Sequence, residues 1–518
     1  MLAFHVLWTG TRRITIELEE ERIYETDPYE ISVNGCHWGE AVRMVQTITG
    51  LEPDTEYNIV ITRGEERFEQ TAVTGTEQIT LDVRAFGAFG DGVHNDTNAI
   101  QAAILCCPPD GRVYIPAGNY PVTNLFLKSD LTIEIGKDAA LLGIYDRDLI
   151  PILPGQIEYE KENEYYNLGS WEGNPLDCFA SLITGVSVRN VVICGEGTID
   201  GRADFTNWWN NCKVRNRAWR PRMIFLNHCE NIVVQGITVQ NSPAWNLHPY
   251  FSENIRFLDM KVLGPANSHN TDGCDPESCK HVDIIGVYFS VGYDCIAVKS
   301  GKIYMGKKFK VPCEDIRIRQ SLMRDGHGAV TLGSEIAAGV KNFRVEKCRF
   351  INTDRGLRVK TRRGRGRDSV LDDIVFADLE MDGVKAPFVV NSFYFCDPDG
   401  HSEYVGTKKA LPVDERTPRI DTMSFERIVC RNAHFCGAYI YGLPEQKIER
   451  VVFDQVSITY AEDAQTGTAA MMESCEPASR QGIVLGNVKE AVLRNVVITG
   501  QDGDAVVLDG VEHLVTED

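Results

Sequence analysis

One pattern dominates the chain from about Val113 to its end. The segments VRNVVICGEGTIDG, CENIVVQGITVQNS, SENIRFLDMKVLGP, CKHVDIIGVYFSVG, CEDIRIRQSLMRDG, VKNFRVEKCRFINT, LDDIVFADLEMDGV, IERVVFDQVSITYA and VKEAVLRNVVITGQ repeat a single idea. Each is a polar turn, a short strand, a kink and a second strand, recurring at roughly 23 to 35 residues. Short strands at such a period, with no amphipathic helices between them, predict an all-β fold, a right-handed parallel β-helix. A propeller needs four strands per longer repeat and fits less well. In a solenoid, equivalent positions of successive coils stack about 4.8 Å apart. Residues far apart in sequence but alike in phase therefore line one face.

A repeat also explains the size. The chain has 518 residues, more than one ordinary core supports, but each solenoid coil buries its faces only against its neighbours. Hydrophobic residues are 43% and charged residues 25%, as in globular proteins at large. The 53 Lys and Arg against 74 Asp and Glu give a net charge of -21. That argues against a nucleic-acid partner, which needs a basic surface. No stretch approaches the roughly 18 continuous apolar residues of a membrane span. The start, MLAFHVLWTGTRRITIELEE, reads as a strand and not as a signal peptide. A cytoplasmic chain is expected, a secreted one being the alternative if a leader had been removed. The 16 cysteines show no disulfide framework or paired C-x-x-C spacing, and are expected to be reduced thiols.

Residues 1–76 differ from the rest. The alternating segments ITIELEEE, YEISVNG, YNIVITRG and RFEQTAVTG predict a small antiparallel β-sandwich. Leu51-Glu52-Pro53-Asp54-Thr55-Glu56-Tyr57 resembles the L-x-P-x-T-x-Y signature of fibronectin type III modules. The resemblance implies that Tyr57 makes a corner hydrogen bond. Residues 77–518 form the second expected unit. Within it Asp96 is a candidate cap for a helix from Thr97 to about Leu105, which would close one end of the stack. Segments 155–175 and 393–419 interrupt the repeat, as loops that build sites do. A third irregular piece carries Trp208, Trp209 and Trp219, candidates for sugar stacking or for loop packing.

Phase brings the chemistry together. Asp272 precedes one strand pair, Asp294 lies at the next return and His327 at the following one. Arg358 and Lys360 come one coil later. Carboxylates, an imidazole and two cations on one face suit hydrolysis of an acidic polysaccharide. One acid protonates the leaving oxygen while a carboxylate activates water, and the cations pair with a uronate. Asp275 reads more naturally as a turn former bonding its own backbone. The basic run from Arg362 to Arg367 reads as a solvated loop.

The motifs Asn270-Thr271-Asp272-Gly273, Tyr293-Asp294-Cys295, Gly326-His327-Gly328 and Arg358-Val359-Lys360 are similar to N-T-D-G, D-D-C, G-H-G and R-I-K of the polygalacturonases, glycoside hydrolase family 28. The order and spacing agree, and the resemblance covers about residues 80 to 510. The fragment RPRMIFLNHCENIVVQGITVQNSPAWNLHP and the WEG at 171–173 resemble the bacterial exo-acting members. The resemblance implies an inverting hydrolase of α-1,4-galacturonosyl linkages in pectic oligo- or polysaccharide, with no cofactor or metal. It implies catalytic roles for Asp272, Asp294 and His327. Substrate binding falls to Asn270, Tyr293, Arg358 and Lys360, with His248 also expected to face the groove.

One departure stands out. The first Asp of D-D-C is the family's general acid, and here it is Tyr293. A phenol, with a pKa near 10, is a poor donor to a glycosidic oxygen. Either the chain binds uronate with impaired turnover, or Tyr293 acts itself, or another carboxylate such as Asp275 supplies the proton. A lyase is the remaining alternative on this fold, and no clustered carboxylates suggest the calcium it would need.

Overall fold

The computed structural model describes residues 2–156 and 167–517; part of the 155–175 interruption thus lies outside the described residues. Two antiparallel sheets come first, one of three strands within residues 4–49 and one of four strands within 25–73. Between them lies a separate core that includes Phe4, Ile14, Ile16, Tyr29, Ile31, Ile48, Ile59 and Ile61, the arrangement of a small sandwich. The Tyr57 hydroxyl accepts a hydrogen bond from the Glu52 amide at 2.8 Å, the corner contact expected from the motif.

The remainder is a parallel β-helix, with a 24-stranded parallel sheet as its largest element. The turn residue that opens each coil explains its polarity. Asn190, Asn231, Asn254, His281, Asp315, Asn342 and Asp373 all adopt φ between 48° and 57°. Side chains tolerate this left-handed region poorly unless they are Asn, Asp or a similar short polar group. The residues that follow alternate into the core, where Phe376, Phe425 and Phe453 stand in register on successive coils. Their ring centroids are 6.1 and 4.8 Å apart.

The helix Thr97–Cys106 buries Ile100, Ala103 and Ile104 in the same core as Val83 and Val113, covering the edge that an open stack would leave exposed. Asp96 occupies the cap position but makes no cap bond. Its carboxylate turns back to accept from the Phe89 and Gly90 amides, while Asn95 accepts from the Thr97 amide.

The sandwich docks on the 24-stranded sheet. Val45 packs on Leu258 and Ile285, and Arg319 bonds the buried Glu17 at 2.7 to 3.0 Å. All 16 cysteines are unpaired. No helix among the described residues is long and apolar enough to cross a membrane.

Candidate active site

The site lies on another face, where the strands Ile296–Val298, Val330–Gly333, Arg355–Lys360 and Ala386–Asn391 run in parallel. Cys274, Ile296, Val330, Leu357 and Phe388 are in register on successive coils. Two residues upstream, the same register aligns Asp272, Asp294 and Gly328. Their backbones are tied by Gly273 N–H to Asp294 O at 3.0 Å and Cys295 N–H to Gly328 O at 2.8 Å. Glycine is needed at 328 because a Cβ there would stand 2.8 Å from Asp294 Oδ1 and 2.3 Å from Thr331 Oγ1. Stacking thus brings Asp272, Asp294 and His327 to the ends of adjacent strands, as their phase predicts.

Asp294 is fully buried and held between Arg358 Nη1 at 3.1 Å and Lys360 Nζ at 2.9 Å. Burial pushes its pKa upward, but Lys360 and Arg358 more than offset this and keep the group ionised, well below the usual carboxylate range. Asp272, 2% exposed, behaves differently. Burial and the nearby Asp294 outweigh the attraction of Lys299 and Lys360 and raise it to about 6. Two carboxylates in one register thus hold protons over different pH ranges, which is how a site divides labour between acids.

Lys299 is the residue the motifs did not single out. Its buried ammonium lies 3.8 Å from Asp272 Oδ2, 3.4 Å from Asp275 Oδ1 and 3.3 Å from Glu335 Oε2, and 4.6 Å over the Trp245 ring. Burial would strip its proton, but Glu335, Asp275 and Asp272 together hold it well above its ordinary value. Glu335 falls to about 2, its burial outweighed by Lys299 and Lys302. Asp275 is no turn former. It is completely buried, and burial with Asp272 alongside drives it well above its usual range. Neither of its oxygens accepts a hydrogen bond, Lys299 being an ion-pair neighbour at 3.4 Å, and burial beside Asp272 favours a retained proton. An ammonium fills the centre of this acid cluster. Among the described residues no group of three or more His, Cys, Asp or Glu is arranged to hold a metal.

His327 is half exposed, and its Nδ1 lies 2.7 Å from Asp354 Oδ2. Tyr293 meets the imidazole edge-on, with centroids 5.1 Å apart. Burial, then Asp294 and Asp272, push the Tyr293 phenol above its ordinary range. Asn270 sits in the left-handed region at φ 55°, and its Oδ1 accepts from Arg220 Nη2 at 2.8 Å. Arg358 Nη2 contacts Met471 Sδ at 3.2 Å, and the Met471 carbonyl accepts from Asn391 Nδ2 at 3.0 Å. Residues near 470 therefore wall the cation side, a contribution no motif announced.

Two further expectations are corrected. His248 does not face an open groove; it is fully buried among Phe225, Trp245 and Tyr250. Its Nε2 is 3.0 Å from Glu277, and burial holds it neutral. Arg362, Arg363 and Arg365 are not solvated but buried. They pair with Asp397, Asp399 and Glu445 at 2.6 to 3.3 Å, pinning the 393–419 segment beside the site. Trp208 and Trp209 pack in a satellite core with Ile150 and Phe179. Trp219 instead stacks on Trp171 at 4.7 Å, and Trp171 on Trp245 at 6.4 Å, with Arg222 over both Trp171 and Trp245 at 4.9 and 4.7 Å.

Residues 155–475 match Glycosyl hydrolases family 28, and residues 80–137 match the group Rhamnogalacturonase A/epimerase, pectate lyase-like. A probable polygalacturonase from Vitis vinifera is 31% identical over 388 residues, covering 73% of this chain and 74% of that protein. Two solved structures share the fold. A family 28 exopolygalacturonase from Yersinia enterocolitica aligns over 99% of this chain and 98% of its own, at 20% identity and a TM-score of 0.72. An exopolygalacturonase from Thermotoga maritima aligns over 82% and 93%, at 22% identity and 0.65.

Proposed function

The chain belongs to glycosyl hydrolases family 28, and from that premise we propose that it hydrolyses α-1,4-galacturonosyl linkages in pectic oligo- or polysaccharide from a chain end, with inversion. The observation that carries this reading is the pair of carboxylates in one register, Asp294 ionised beside Arg358 and Lys360 and Asp272 raised to about 6. Two such carboxylates take the proton of a water attacking the anomeric carbon. Arg358 forms a forked, planar contact with the uronate carboxylate, and Lys360 adds a point charge.

Action at a chain end is supported by the loops on both flanks, Trp171 and Trp219 on one side and the 393–419 segment on the other. The names of the Yersinia and Thermotoga enzymes agree with it. We infer that residues 1–76 form a separate buttressing module and carry no chemistry.

Incubation with oligogalacturonides of defined length is the test. Stepwise shortening from one end, lost in Asp272→Asn, is expected. Random internal cleavage refutes the end-acting part, and an unsaturated, ultraviolet-absorbing product shows a lyase. A second reading, uronate binding without turnover, is favoured by the phenol at Tyr293. Saturable binding with no product after prolonged incubation establishes it.

A further inference from the structure

The leaving oxygen of a glycoside needs a proton, and Tyr293 holds its own too tightly to supply one. The neighbouring coil offers another donor. The His327 backbone amide donates to the Tyr293 carbonyl at 3.0 Å and its ring meets the Tyr293 ring edge-on at 5.1 Å, so the imidazole sits one rung from the position where the family pattern has an acid. Its Nδ1 lies 2.7 Å from Asp354 Oδ2, while Asp354 Oδ1 lies 2.9 Å from Lys385 Nζ. The Asp354 backbone is tied in turn, its N–H donating to Gly326 O at 2.9 Å.

Tyr293, His327, Asp354 and Lys385 thus form a run across successive coils. One imidazole nitrogen is fixed by a carboxylate, and among the described residues the other is uncommitted. Asp354 is held below the usual carboxylate range because bonds from His327 and Lys385 outweigh its burial. Tyr293 on the coil before meets the ring edge-on at 5.1 Å, and Asp325, paired with Arg324 at 3.6 Å, lies on its own turn.

We propose that the imidazolium of His327, positioned by Asp354, donates the leaving-group proton in this chain in place of the missing carboxyl. This rests on the hydrolase reading above. As water attacks the anomeric carbon, its proton passes to the carboxylate pair and the bond to the leaving oxygen breaks. The electron pair stays on that oxygen, which takes the proton from Nε2. His327 is left neutral and is reprotonated from solvent, so the net change is addition of one water across the linkage.

The test uses two substrates, an oligogalacturonide and an aryl galacturonide whose phenolate leaves without protonation. On the oligogalacturonide, His327→Gln is expected to lower kcat about 10²- to 10⁴-fold, the usual size of an acid-catalysis effect. KM should stay nearly constant. On the aryl substrate the same variant should stay close to wild type. Asp354→Asn should lower kcat on the oligogalacturonide alone, with Asp354→Glu restoring part of it. Adding Tyr293→Asp to His327→Gln should return activity by reinstating a carboxyl donor. Equal losses on both substrates, or an unchanged kcat in His327→Gln, overturn the assignment. No product from either substrate with folded wild-type protein overturns the hydrolase reading instead, and the assignment falls with it.

Discussion

Arg358 reaches Asp294 with a single nitrogen, Nη1 to Oδ1 at 3.1 Å, while its Nη2 rests against the sulfur of Met471 at 3.2 Å. In the proposed reaction the same guanidinium has two tasks. With Lys360 it keeps a buried carboxylate ionised, and under the proposal it is also the planar donor to a uronate. In Arg358→Lys one charge survives but the fork is lost. The expected result is a KM for oligogalacturonides raised about tenfold, the worth of roughly 1.4 kcal/mol, with a smaller fall in kcat. Steady-state kinetics on a tri- or tetragalacturonide checks it.

The pH dependence follows from Asp272. Its pKa lies at about 6, above the ordinary carboxylate value, because burial and Asp294 disfavour the charge. A water-activating group must be unprotonated, so activity should fall as pH drops through about 6. Asp294, held ionised by Lys360 and Arg358, adds no break in that range. A profile of kcat/KM from pH 4 to 8 measures the limb, and a flat profile between pH 5 and 7 contradicts the assignment.

Lys299 neutralises a buried acid cluster. Removing one partner of a buried ion pair leaves uncompensated charge and costs about 3–5 kcal/mol. Lys299→Met should destabilise by about that amount in a denaturant melt at neutral pH. Glu335 gives the sign for acid. Its folded pKa of about 2 lies below the ordinary value, so its stabilisation is complete above about 4.5 and is lost as pH falls toward 2.

Gly328 tests the register itself. A methyl group there would press on Asp294 Oδ1 and Thr331 Oγ1, with Arg358 Cβ the next atom at 3.5 Å. Gly328→Ala should therefore lose far more activity than stability. Paired thermal melts and rate measurements distinguish this from general misfolding.

The coil pattern could be read from the sequence because each turn repeats the same physical need, a left-handed residue followed by alternation into a narrow core. That Asp272, Asp294, His327, Arg358 and Lys360 come together on one face was legible for the same reason, since phase fixes which side chains are neighbours. Lys299 and Asp354 obey that logic as well. Lys299 pairs in register with Glu277, and Asp354 stands one coil beyond His327. They were missed because neither lies in a recognised motif.

What phase cannot supply is the depth at which a side chain ends. His248 shares a register position with Phe225 and is covered by Trp245, and the arginines after Lys360 are buried by acids from segments near 397 and 445. Burial of both kinds depends on loops whose paths the repeat does not dictate.

The most direct measurement follows the anomeric proton of the first product released from a reduced oligogalacturonide by time-resolved NMR. Inverting hydrolysis by Asp272 and Asp294 predicts β-galacturonate first, equilibrating slowly to the α form, and no signal in Asp272→Asn. Initial release of the α anomer, an unsaturated uronate, or product formation unaffected by Asp272→Asn would contradict the account.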